Sequence, residues 1–79
     1  MAIINGMTAI TQSDSSTFSP GGKGTLFFVS VTGNIKVGFP DGSTLIWNIP
    51  LVGEYKRDWN INQVFIANTT ATFTAYTLH

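Results

Sequence analysis

The sequence predicts an all-β fold, a small antiparallel sandwich or barrel of the jelly-roll-like kind with an N-terminal arm. Apolar and polar residues alternate from residue 25 onward, which is typical of half-buried strands. Turn-forming residues recur at short intervals between these strands, and no window shows a capped helical period. Seventy-nine residues allow one domain with a thin core. The pattern leaves sandwich and barrel as open alternatives.

The first 24 residues differ in composition from the rest of the chain. Residues 11–24 read TQSDSSTFSPGGKG, with Phe18 as the single large apolar residue. Such a composition favours irregular structure. We therefore divide the chain into an N-terminal arm or loop segment, 1–24, and a β domain, 25–79. Two interpretations fit this composition equally well: an exposed arm that binds a neighbouring subunit, or a flexible terminus.

The first predicted hairpin joins residues 25–32 to residues 35–39 through a two-residue turn at Gly33-Asn34. A second turn at residues 40–43 (PDGS) leads into the strand TLIWNI, residues 44–49, in which alternation predicts a buried Trp47. Inward-facing positions are expected at Phe27, Val29, Val31, Ile35, Val37, Phe39, Leu45 and Ile49.

The rest of the chain predicts three further strands. Pro50 ends the preceding strand, and residues 54–61 form a weaker segment. Residues 63–67 form another strand, Asn68-Thr69-Thr70 a turn, and residues 71–78 the last strand, with Phe73 and Ala75 on one face.

The composition favours association over catalysis. Charged residues make up 10% of the chain and the net charge is zero, whereas Thr, Ser and Asn supply 23 of the 79 residues. A near-neutral surface does little to prevent association. There is no cysteine and His79 is the single histidine, so disulfides are excluded and a structural zinc site is not expected. Oligomerisation is the remaining way to stabilise so small a domain.

Several partners and compartments are not expected from the sequence. Four cations without a cluster beyond Lys56-Arg57 make no basic patch for nucleic acid. No run approaches the roughly 18 apolar residues of a membrane span. The N-terminal stretch also lacks the basic and long apolar regions of a signal peptide.

The order of features from Gly24 to Leu78 resembles the small capsid-decoration and head-spike-base proteins of tailed bacteriophages and gene transfer agents. The resemblance rests on DGST at residues 41–44 and TTAT at residues 69–72, both placed around apolar strands. Asn68 stands where the family usually has glycine, and asparagine also tolerates a left-handed backbone.

The resemblance implies a virion subunit on the capsid exterior, made in the host cytoplasm and without an enzyme site. It also implies a homo-oligomer, a trimer or pentamer, whose partner is the major capsid protein or a head fibre.

Candidate catalytic, cofactor and metal sites each lack a necessary group. A Ser/His/Asp arrangement would depend on His79, a terminal residue. Glu54 and Asp58 would lie about 13 Å apart in a strand, too far for a glycosidase pair. The segment 21–24 (GGKG) lacks the order of a phosphate loop, and Asp41 alone is too few carboxylates for calcium. We therefore expect no catalytic, cofactor or metal residue.

The candidate subunit or capsid contacts are aromatic or charged: Phe18, Tyr55, Lys56, Arg57, Trp59 and Tyr76. Aromatic residues and arginine are enriched at protein interfaces. The same aromatics support an alternative function, a carbohydrate- or receptor-binding module of a phage fibre. That alternative predicts that Trp59 or Tyr55 is exposed.

Overall fold

The computed structural model describes residues 4–79, and every regular element in this range is a β-strand, which confirms the all-β prediction. The strands form two antiparallel sheets, as in a small sandwich, with the orders β1-β7-β2-β5 and β4-β3-β6. They are β1 (Met7–Ala9), β2 (Thr25–Val31), β3 (Gly33–Gly38), β4 (Thr44–Ile49), β5 (Gly53–Arg57), β6 (Gln63–Val64) and β7 (Thr72–Leu78).

The core lies between the two sheets and is built by the predicted alternation. Phe27 and Val29 of β2 face Ile35 and Val37 of β3, and all four are 5% exposed or less. The other buried members of the cluster are Ile49, Ile61, Val64, Ala71 and Ala75. Period-two alternation therefore located most of the core correctly.

The predicted hairpin between β2 and β3 is wrong. β2 pairs with β5 and β7, whereas β3 pairs with β4 and β6, so the chain passes from one sheet to the other at Gly33. Gly33 has a φ of 152°, and a Cβ there would lie 2.6 Å from Oγ1 of Thr70 and 2.7 Å from the backbone N of Ala71. Glycine is required at this position by a close backbone contact and not by a hairpin turn.

The turn between β3 and β4 forms as predicted. Phe39 N–H donates to the Ser43 carbonyl (2.9 Å), and Gly42 has a φ of 89°. Asp41 Oδ1 accepts hydrogen bonds from the Ser43 N–H (2.9 Å) and the Ser43 hydroxyl (2.6 Å). Asn68 has a φ of 62°, so asparagine does take the left-handed conformation expected of it.

Four side chains are more exposed than alternation predicts, and one of them is Phe39, which is half-buried just after β3. Val31 is 53% exposed, because the pairing of β2 with β7 shifts register between Val29 and Val31. Leu45 is 39% exposed and Trp47 is half-buried, although both point towards the core. Their strand, β4, lies at the edge of its sheet, so one side of each residue has no neighbouring strand.

The N-terminal segment is mostly irregular but lies against its own β domain. β1 pairs with β7, Ser13 N–H donates to the Val64 carbonyl (2.9 Å), and Phe18 N–H donates to the Asn62 carbonyl (2.8 Å). Oδ1 of Asp14 accepts two backbone N–H groups from just beyond β6, each at 3.0 Å. Residues 4–24 thus pack as part of the same body as residues 25–79.

Candidate functional site

The two sheets leave four edge strands, and these edges differ in how they are protected. The segment around Ser13 runs along the outer edge of β6. β1 is three residues long, and β5 carries the charged residues Glu54, Lys56 and Arg57. The sequence of β4, TLIWNI, has no charged residue and no proline. Charges, short length and a covering segment are the usual devices that keep an edge from pairing with another chain, and β4 has none of them.

The hydrogen-bond pattern of the three-stranded sheet shows which backbone groups β4 presents outward. The carbonyls of Lys36 and Gly38 accept hydrogen bonds from the β6 side (2.9 and 3.0 Å), so these even-numbered residues of β3 face away from β4. In an antiparallel ladder, hydrogen-bonded and non-hydrogen-bonded pairs alternate. β4 therefore bonds β3 through its odd-numbered residues and points the N–H and C=O groups of Thr44, Ile46 and Asn48 away from the sheet.

These outward groups have no partner within residues 4–79. None of the hydrogen bonds described there uses the backbone N–H or C=O of Thr44, Ile46 or Asn48. The Asn48 side chain donates instead to Oδ1 of Asn34 (2.9 Å) on the neighbouring strand. We call this row of backbone groups on residues 44–49 the β4 edge.

Exposed apolar side chains concentrate at the β4 edge and in the bend that follows it. Nine large hydrophobic side chains are exposed among the described residues, and four of them lie between residues 45 and 52. Leu45 is 39% exposed, Ile46 53%, Leu51 70% and Val52 59%. A local concentration of exposed apolar side chains is typical of an interaction site.

An arginine lies over three aromatic rings between β4 and β5. The Trp47 ring is 5.3 Å from both the Tyr55 and the Trp59 rings, each in an edge-to-face arrangement. The Arg57 guanidinium lies 4.8 Å from the Trp47 ring centre, 5.6 Å from that of Tyr55 and 5.9 Å from that of Trp59. The Tyr55 hydroxyl donates to the Leu51 carbonyl (2.6 Å), which ties the cluster to the bend after β4.

The cluster brings together three of the six predicted contact residues. Tyr55, Arg57 and Trp59 are half-buried in it, and their spacing of two residues in a strand-like segment is the sequence signal that places them on one face. Tyr55 and Trp59 both pack against the core, so neither is an open platform. The expectation that one of them is exposed is not met.

The other three predicted contacts lie elsewhere. Phe18 is half-buried against the core. Lys56 and Tyr76 both lie beside Leu26 in the four-stranded sheet, one on each neighbouring strand, and share its outer face. Lys56 pairs with Asp58 at 3.2 Å on the surface. The β4 edge itself was not predicted as a site, because its exposure depends on strand order.

Several of the polar residues named as candidates for chemistry have structural partners. Hydrogen bonds from the Ser43 side chain, and then its backbone, lower the pKa of the exposed Asp41 carboxyl below 3.8. The backbone N–H of Lys23 donates to the Leu78 carbonyl (3.1 Å), and Nε2 of His79 lies 2.8 Å from Oγ1 of Thr8. Residues 4–79 contain no group of three or more His, Cys, Asp or Glu side chains placed to hold a metal.

Open grooves lie on the surface of the described region, and two of them border the four-stranded sheet. An apolar groove of about 450 Å³ lies at one end of the four-stranded sheet, between Phe28, Phe73 and Gly53. A second, of about 310 Å³, lies between the N-terminal segment at Phe18 and the end of β7. Among the residues that the structure describes, no helix is long and apolar enough to cross a membrane.

No family model, no curated protein and no solved structure matches this chain.

Proposed function

We propose that this chain is a virion structural protein, a homo-oligomeric capsid-decoration (cement) subunit or a head-fibre or spike-base subunit of a tailed phage. The observation that carries the assembly role is the β4 edge, an uncharged strand edge with exposed apolar side chains and with backbone groups that have no partner within residues 4–79. A free edge of this kind is a template for pairing with another chain.

The placing in a virion is supported by the motif order that resembles phage decoration and head-spike-base proteins. In the fold, DGST forms the turn into β4, and the two threonines of TTAT replace a missing stretch of β6. The Thr69 hydroxyl accepts from Lys36 N–H (3.0 Å), and the Thr70 hydroxyl accepts from Asn34 N–H (2.9 Å). Both motifs thus have a structural reason for their positions beside strands.

The mechanism of such a subunit is geometric. Each copy offers a modest contact surface, and symmetry repeats that contact around the assembly. Once one subunit is bound, its linked neighbours bind at a high effective concentration, so weak contacts give a stable coat. The outer face of the four-stranded sheet, with Lys56 and Tyr76 beside the exposed Phe28, would then be free to contact the capsid or a fibre.

The alternative, a carbohydrate-binding module, has less support from the geometry. A sugar ring stacks on an open aromatic face, whereas Arg57 lies over the rings of Trp47, Tyr55 and Trp59. We expect glycans to leave the tryptophan fluorescence unchanged. A saturable quench by a glycan that is lost in Trp59→Ala would favour the binding module instead.

Co-sedimentation tests the virion role directly. Purified heads of the phage that encodes the chain, stripped of the protein, are mixed with the recombinant chain and centrifuged. Saturable binding with a fixed number of copies per head is expected, and unrelated heads of similar size serve as the control. A stable monomer that stays in the supernatant at all concentrations would contradict the proposal.

A further inference from the structure

The β4 edge has a two-fold complementarity to itself. When two antiparallel copies are aligned on Ile46, Thr44 of each lies opposite Asn48 of the other and Ile46 lies opposite Ile46. All three outward-pointing residues then form hydrogen-bonded pairs, which gives about six backbone hydrogen bonds. Shifting the alignment by two residues places Thr44 opposite Pro50, which has no N–H, or Asn48 opposite Gly42 in the turn.

From this complementarity we infer that the β4 edge pairs antiparallel with the β4 edge of a second copy of this chain, joining two three-stranded sheets into one. The inference rests on the proposed role as an assembling subunit and names the surface and the partner for it. Ile46, 53% exposed, would pack on its symmetry mate on one sheet face. On the other face Leu45, 39% exposed, would lie opposite Trp47 of the second copy.

Charge favours a second copy as the occupant of this edge. In this isologous contact Ile46 lies on the two-fold axis and meets its own copy, so a charge at that position would face a like charge. β4 has no charged residue over Thr44–Ile49, and the pairs that face each other are Ile with Ile and Thr with Asn. A partner that binds through charged side chains would have no opposite charge to pair with on β4.

The other edges do not compete for the same partner. β6 is covered by the segment at Ser13, and β1 offers three residues. On β5 only Glu54 and Lys56 turn their backbone N–H and C=O groups away from the sheet. Both residues are charged, and the Lys56 side chain already forms an ion pair with Asp58. A closed two-fold pair through β4 gives a dimer, and a trimer or pentamer would need a different, head-to-tail interface.

Light scattering and analytical ultracentrifugation of the full chain test the inference. We expect the mass to rise with concentration towards twice the 8.5 kDa of the chain, because a single strand edge is a small interface. Ile46→Lys places two ammonium groups opposite each other and should weaken dimerisation by more than about tenfold. Ile66→Lys is the matched control, since Ile66 is 58% exposed and lies beyond the other end of the sheet.

Two further variants separate pairing from folding. Ile46→Pro removes an N–H that no group within the described residues accepts, so the monomer should keep its β-sheet circular dichroism and lose the dimer. Ile46→Cys introduces the sole thiol, and paired Cα atoms about 5.5 Å apart lie within disulfide range. Oxidation should give a covalent dimer with Ile46→Cys and not with Ile66→Cys.

The outcomes distinguish this inference from the proposed function. A monomer at every concentration, or equal effects of the lysine variants at positions 46 and 66, would overturn the pairing. A trimer or pentamer insensitive to Ile46→Lys would overturn it too, while leaving an assembling subunit for the head-binding assay to test. A dimer lost in Ile46→Lys that ignores purified heads would support the pairing and contradict the virion role.

Discussion

Replacing Gly33 by alanine tests how the chain passes between the two sheets. The backbone at Gly33 has a φ of 152°, and an added Cβ would meet Thr70 Oγ1 at 2.6 Å and the Ala71 N at 2.7 Å. These neighbours are held, because the N–H groups of Thr70 and Ala71 donate to the Asn34 carbonyl at 2.8 and 3.1 Å. Relieving the contact therefore requires breaking hydrogen bonds or opening the strand crossing.

Gly53 provides a matched control for the backbone strain alone. Its φ is 142°, close to that of Gly33, but a Cβ there would meet nothing within 4 Å. Strain in this backbone region costs about 1–3 kcal/mol, and overpacking against a fixed neighbour adds about 1–3 kcal/mol more. Gly53→Ala should thus lose about 2 kcal/mol of unfolding free energy and Gly33→Ala about 4 kcal/mol.

Urea unfolding followed by tryptophan fluorescence measures both variants, at one protein concentration because association also stabilises the native state. With a urea dependence of about 2 kcal/mol per molar, the midpoint of Gly33→Ala should lie about 1 M below that of Gly53→Ala. Equal midpoints would show that the contact between Gly33 and the Thr70-Ala71 backbone does not constrain the fold.

Three further perturbations test the docking of the N-terminal segment, the packing of Arg57 on the aromatic cluster and the Asp41–Ser43 turn. Asp14→Ala should lower the free energy of unfolding by about 1–2 kcal/mol in urea, because two backbone N–H groups lose their acceptor. Asp58→Ala is the control and should change this free energy little, since the Asp58 side chain is 95% exposed. Arg57→Ala should lower the free energy of unfolding by about 1–2 kcal/mol and shift the tryptophan emission, and Arg57→Lys should restore part of that free energy. An unchanged emission spectrum and an unchanged urea midpoint would contradict the stacking of Arg57 on the tryptophan rings. The pKa of Asp41 lies below its unfolded value of 3.8, so its contribution to stability is present above that pH and is lost as the pH falls through the lower folded pKa. Ser43→Ala should therefore flatten the decrease of the thermal midpoint between pH 6 and pH 2, and an identical pH profile would refute the assignment.

Local pattern predicted β2, β3, β4 and β7 well, missed β1 and made β6 too long, and it predicted the pairing of strands poorly. The alternation at Phe27, Val29, Ile35 and Val37 identified buried positions, because the faces of a strand follow from its period. The partner of each strand is set by contacts distant in sequence. The Gly33-Asn34 pair has the chemistry of a hairpin turn, yet β2 pairs with β5 and β7 and β3 pairs with β4 and β6, so no hairpin forms there.

The candidate site shows the same difference between what local pattern predicts and what contacts distant in sequence decide. The aromatic and basic residues Tyr55, Arg57 and Trp59 were identified by type, and their spacing of two residues is the signal that could have placed them on one face. That the face also includes Trp47, four residues before the bend, required the crossing of the chain from β4 to β5. The β4 edge could not be predicted, since the same six residues would form a central strand in another strand order.

The distribution of the few charged residues bears on why the β4 edge matters. Three of the eight charged side chains, at Lys56, Arg57 and Asp58, follow one another in and just beyond β5, and the carboxylate of Asp14 holds the segment that covers β6. Charged side chains thus lie at or beside two of the other edges, β5 and β6, and are absent from β4. The Ile46 side chain is more than half exposed, so folding of the monomer does not require an apolar residue there. A glutamate at that position, opposite Lys36 of β3, would protect the edge at little cost in stability, as charged edge residues commonly do. The presence of isoleucine is therefore better explained by a partner that covers it than by the stability of the isolated chain.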